Sequence, residues 1–154
     1  MIDAIRRFFA EITSDGGDRI ALGEEQVRLA VAALLFRVIA IDGTVSDEER
    51  AALRDVLKRH FGLDPQATSL LVEAAEDAEA EAVDLYGFTS VLKARLEPSD
   101  RERIVEMMWQ MVYADGKADE FENNVVWRVA ELLGVSTQTR VRLKQAVRDR
   151  AGQQ

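Results

Sequence analysis

Ile39 to Glu49 reads IAIDGTVSDEE, and 73 residues further on Val112 to Glu122 reads VYADGKADEFE. In each copy an apolar run ends at an Asp followed by Gly, Asp42-Gly43 and Asp115-Gly116. A Gly just past a helix takes up the left-handed backbone that terminates it. Three residues beyond each Gly, Ser46 with Glu49 and Asp119 with Glu122 have the spacing of a capping box, in which the cap oxygen accepts from a free backbone N–H and the Glu reaches back to another. Each copy therefore closes one helix and opens the next. Capping leaves the carboxylates of Asp42 and Asp115 unexplained, because a negative side chain in a last turn meets the negative end of the helix dipole.

Outward from the two turns, the periodicity predicts an all-α chain. Val27 to Ile41 is interrupted only by Arg28 and Arg37, and Ile104 to Ala114 only by Glu106 and Gln110. These read as the central buried helices, with a core of Leu34, Leu35, Val38 and Ile39 in the first half and Met107, Met108, Met111 and Val112 in the second. The methionines follow the buried face of one helix, which makes them core filling rather than an adaptable groove. The first run is too short for a bilayer span of about 20 apolar residues. Amphipathic helices run from Ser46 to a stop at Gly62 and from Asp119 to a stop at Gly134. Between the copies, Asp64-Pro65 places a cap before Pro at the first helical position, and another helix begins near Asp84.

The ends of the chain carry their own signals. Ile2, Ile5, Phe8, Phe9 and Ile12 fall at helical spacing, an amphipathic helix over 2–12 expected to pack on its own domain. Glu73 to Asp84 holds six acids and no base, whereas the helix capped by Ser136 carries Arg140, Arg142, Lys144, Arg148 and Arg150 against Asp149. Two surfaces of opposite sign suit pairing with a protein partner or with a second copy in a homodimer.

Composition narrows the function. The 154 residues suit one domain, 1–154, with a core over 27–135 and a basic C-terminal helix over 136–150. With no Cys there are no disulfides, thiolate zinc sites or thiol chemistry. Twenty-eight acids against 20 Lys and Arg, net −8, repel phosphate backbones and anionic lipid, so nucleic acid is excluded as a partner and membrane association is disfavoured. No signal peptide opens the chain, which leaves a cytoplasmic location as the expectation. His60 lacks a Cys or second His for a transition-metal site and sits in a last turn that favours a cation. No phosphate loop, nucleophile elbow or His-Glu-x-x-His occurs, so the expectation is a non-enzyme with no catalytic or cofactor-binding residues.

The pattern of an apolar helix, Ala-Asp-Gly or a near variant, and a Glu six residues after the Gly, given twice about 70 residues apart, resembles the TerB family of bacterial tellurite-resistance proteins and their TerB-like relatives. The similarity covers roughly Val27 to Val135. The second copy, Ala114-Asp115-Gly116 with Glu122 and Leu133-Gly134-Val135, fits better than the first, where Ile41 stands before Asp42. The resemblance implies a compact helical domain of seven or eight helices in two pseudo-symmetric halves, with a role in tellurite resistance or a related stress response. Two functions stand side by side. In one, the domain is an interaction module and the acids only cap and turn. In the other, the halves pack about a pseudo-two-fold and bring Asp42, Glu49, Asp115 and Glu122 together as hard oxygen ligands for Ca²⁺, Mg²⁺ or Mn²⁺.

Overall fold

The computed structural model describes residues 25–41, 43–82, 84–114 and 120–152. The predicted helix over 2–12 lies outside them. Seven α-helices and no strand occur among the described residues: α1 Glu25–Ile39, α2 Asp47–Phe61, α3 Pro65–Glu81, α4 Tyr86–Arg95, α5 Pro98–Val112, α6 Glu120–Leu132 and α7 Thr137–Gly152.

The 73-residue offset seen at the two turns extends over whole helices. Added to α1 it lands on α5, and added to the start of α2 it lands on the start of α6. Burial follows the same frame. Leu34 and Leu35 of α1 correspond to Met107 and Met108 of α5, Phe36 to Trp109, and Leu53 and Leu57 of α2 to Val126 and Ala130 of α6, all of them buried. The eight core residues expected from the two apolar runs are likewise all buried.

Packing has the matching symmetry. Helices α1 and α5 cross each other at the centre, α3 covers α1, and α7 covers α5. Each short-turn neighbour then reaches over to the opposite half: α2 touches α5 and α6 touches α1. Small residues allow the closest of these approaches, because Ala75 and Ala78 of α3 face a helix carrying Ala30, Ala32 and Ala33, all fully buried. The symmetry is broken by α4, which packs on α1 and α6 through Phe88 and Leu92.

Local rules set the boundaries. Asp64 caps α3 by accepting from the Ala67 N–H at 2.7 Å, with Pro65 at the first position. Ser136 does the same for the Thr139 N–H at 3.2 Å in α7. Gly62 ends α2 at φ 64° and donates its N–H to the Lys58 carbonyl at 2.8 Å.

Candidate functional site

The first turn is built as its sequence dictates. Gly43 takes φ 85° and its N–H donates to the Ala40 carbonyl at 3.0 Å. Ser46 Oγ accepts from the Glu49 N–H at 3.1 Å while Glu49 Oε1 accepts from the Ser46 N–H at 3.0 Å, a complete capping box. Glu49 is thus occupied as a cap. In the second copy, the Ala114 N–H donates to the Met111 carbonyl at 3.3 Å, and Glu122 stands partly buried in the first turn of α6. Asp42 lies outside the described residues, as do residues 115–119 with Asp115 and Asp119.

The described flanks show how the two turns are disposed. Ile41 lines a groove with Phe121, Asn124, Val125, Trp127 and Arg128 of α6. Tyr113 and Ala114 line another with Ala52, Asp55 and Val56 of α2. The two grooves correspond under the repeat, Ile41 with Ala114, Val125 with Ala52, and Arg128 with Asp55. The described residue before each turn, Ile41 or Ala114, is laid against the second helix of the other half. Ile41 therefore adjoins the helix that carries Glu122, and Ala114 the helix that carries Glu49. Among the described residues no three His, Cys, Asp or Glu side chains gather as a metal site.

The grooves differ in chemistry. Where Ala114 faces Asp55 and Arg59, Ile41 faces Val125, Trp127 and an exposed Phe121, with Arg128, Glu131 and Arg140 at the rim. Phe121 is 66% exposed, yet its counterpart under the repeat is Glu48, equally on the surface. The other half of the same fold holds a charged residue at this place. The signal lay in the sequence, since Glu48 and Phe121 hold the same place in the two copies, 39–49 and 112–122.

The oppositely charged segments are in part spent within the chain. Glu79 and Glu76 of α3 meet Arg37 of α1 at 2.9 Å and Arg50 of α2 at 3.1 Å. The Glu76 hydrogen bond, opposed by partial burial, pushes the Arg50 guanidinium further above its usual range. On α7, Arg142 and Arg150 meet Glu102 and Glu106 of α5 at 3.4 and 2.8 Å. Lys144 lies 5.2 Å over the buried Trp109 ring and Arg140 lies 5.4 Å over Trp127. Val147 is buried and Leu143 packs against the core, so α7 docks through these two apolar residues together with cations laid over tryptophans.

Among the described residues, no helix is long and apolar enough to cross a membrane. The sequence pattern of the family described as Tellurite resistance protein TerB matches residues 28–145. A crystal structure of a protein of unknown function from Porphyromonas gingivalis is similar, with a TM-score of 0.60 at 16% identity over 85% of this chain and 98% of that one. That likeness bears on the fold. No curated protein matches the sequence.

Proposed function

The chain belongs to the TerB family, whose pattern spans most of its length, and from that premise we propose that it is a non-enzymatic interaction module of the cytoplasm, serving tellurite resistance or a related stress response. The observation that carries this reading is Phe121, two-thirds exposed beside Ile41, Val125 and Trp127, at a position where the other half of the same fold holds Glu48. Exposed aromatic side chains beside a partly apolar groove are the usual anchors of a protein contact. The net charge of −8 favours a basic partner around that apolar centre. Phe121→Glu copies the residue of the first half and tests the reading directly. It should leave the melting temperature within a degree or two, since Phe121 is exposed, while removing the proteins that co-purify with the wild type and the protection against tellurite in a complementation assay. Unchanged co-purification and protection would discard the module.

A second reading is favoured by the crossed turns. Because Ile41 adjoins the helix of Glu122 and Ala114 the helix of Glu49, cation binding would pair Asp42 with Glu122 and Asp115 with Glu49, two carboxylates from each half. Oxygen-only ligands suit Ca²⁺, Mg²⁺ or Mn²⁺. Glu49 would have to leave its capping bond to the Ser46 N–H, a local cost on the order of 1 kcal/mol that the ion must offset.

A further inference from the structure

The geometry points to a binding site for a small oxyanion where α4, α5 and the turn from α6 to α7 meet, with Lys93, Arg101 and the start of α7 as its ligands. The site lies over Gly134, which turns the chain at φ 75° between α6 and α7. A Cβ there would stand 3.4 Å from Arg101 Nη1, 3.5 Å from Lys93 Cε and 3.8 Å from Lys93 Nζ. By the sum of the first and last of these, the two cationic heads are at most 7.2 Å apart. Any side chain at 134 would fill the space between them.

The charges at this junction do not balance. Arg101 Nη1 donates to the Leu133 carbonyl at 2.8 Å, and Arg101 Nε is enclosed with no partner among the described residues. Among the described residues, no ion pair joins Arg101 or Lys93 to a carboxylate. Glu102 lines the groove, but Arg142 engages it at 3.4 Å. Glu131 shares the neighbouring groove with Lys93 and makes no ion pair with it. The end of α6 contributes roughly −0.5 charge and the start of α7 roughly +0.5, so the helix dipoles cancel, and Lys93, Arg101 and Arg142 against Glu102 and Glu131 leave an excess of positive charge. In a chain of net −8 that local excess runs against the bulk. A partly enclosed guanidinium without a counter-charge is costly, and an anion removes the cost.

The shape sets the ligand class. Pro98, Arg101, Glu102, Val135, Ser136 and Thr139 line a groove of about 200 Å³, which Lys93 approaches over Gly134 from the groove beside it; the volume is below the range of about 300 to 1,000 Å³ typical of sites for drug-sized ligands. It suits an ion of the size of phosphate rather than a nucleotide. The start of α7 adds the N–H groups of Thr137 and Gln138, which have no partner within their own helix, while Ser136 Oγ takes the Thr139 N–H. The site is also separate from the Phe121 surface. Phe121 opens α6 and Gly134 follows its end, about 20 Å away at 1.5 Å per residue.

Thermal melting in millimolar phosphate, sulfate and tellurite, each against sodium chloride of equal ionic strength, tests the site. At least one oxyanion should raise the wild-type melting temperature above the chloride control, and its addition should shift the backbone amide NMR signals of Gly134 and Ser136. Lys93 is exposed, so Lys93→Gln should fold with unchanged stability and bind roughly fivefold more weakly, the effect of one surface charge pair. Arg101→Lys keeps the charge and loses the fork, and should also weaken binding. No stabilisation beyond chloride by any of the three ions would overturn the inference. So would stabilisation that Lys93→Gln and Arg101→Lys both retain in full.

Discussion

His60 Nε2 lies 3.0 Å from Gln110 Oε1, joining the last turn of α2 in the first half to α5 in the second. Burial pushes the imidazole pKa below its ordinary value. The Gln110 hydrogen bond and Glu106 oppose this, while Arg103 and Arg59 add to it. The unfolded chain therefore takes up a proton at higher pH than the folded one. The stability that this contributes is complete above the unfolded pKa of about 6.5 and is lost as pH falls through it toward the lower folded value. Urea unfolding at pH 7.5 and pH 5.5 should show a larger drop for wild type than for His60→Gln, which keeps a donor and cannot titrate. Equal drops would show that His60 is not the titrating contact between the halves.

Leu35 is fully buried at the centre of α1, where α3, α4 and α5 all pack. Leu35→Ala should cost about 2 to 5 kcal/mol. Met108, its equivalent in α5, is as deeply buried and should respond within the same range when cut to Ala. Chemical denaturation measures both, and a loss under about 1 kcal/mol at either position would contradict the two-fold core.

Gly62 holds φ 64°, and nothing stands within 4 Å of where its Cβ would be. The cost of Gly62→Ala is therefore conformational alone, about 1 to 2 kcal/mol for an L residue in the left-handed region. Asn tolerates that region better, so Gly62→Asn should cost less than Ala. Equal losses would point to a packing fault instead.

Asp115 separates the two readings of the turns. If the acids only cap and turn, Asp115→Asn removes a charge from the negative end of α5 and leaves stability level or slightly higher. If they hold a cation, wild type should melt at a higher temperature in millimolar Ca²⁺, Mg²⁺ or Mn²⁺ than in EDTA, by the mass action of binding to the folded state. Asp115→Asn should abolish that rise while leaving the ion-free fold intact. Identical wild-type melting in every buffer would discard the cation reading.

The all-α class, the two halves, the central helices and the caps at Ser46, Asp64 and Ser136 were legible along the chain, because each depends on neighbours within a turn or two. The apolar stripe of α1 needs only its 3.6-residue period, and the Ser46–Glu49 box only a three-residue spacing. Even the repeat is a one-dimensional fact, which is why the core expected at Leu34, Leu35, Met107 and Met108 is the core observed. The roles of charged residues were less legible. A solvated acidic face is indistinguishable in sequence from one whose Glu76 and Glu79 reach arginines 26 and 42 residues away, and the basic run of α7 does not say that Lys144 and Arg140 rest on tryptophans.

The sequence by itself determined where the helices of this protein begin and end and which faces they bury, since hydrogen-bond spacing and hydrophobic period act locally. Only the tertiary structure decided that α2 packs on α5 and α6 on α1, so that Ala114 meets α2 and Ile41 stands beside Phe121. It alone brought Lys93 and Arg101 together over Gly134. Such meetings depend on how helices settle against one another across a shared core, and that angle is set by the side chains of both partners at once.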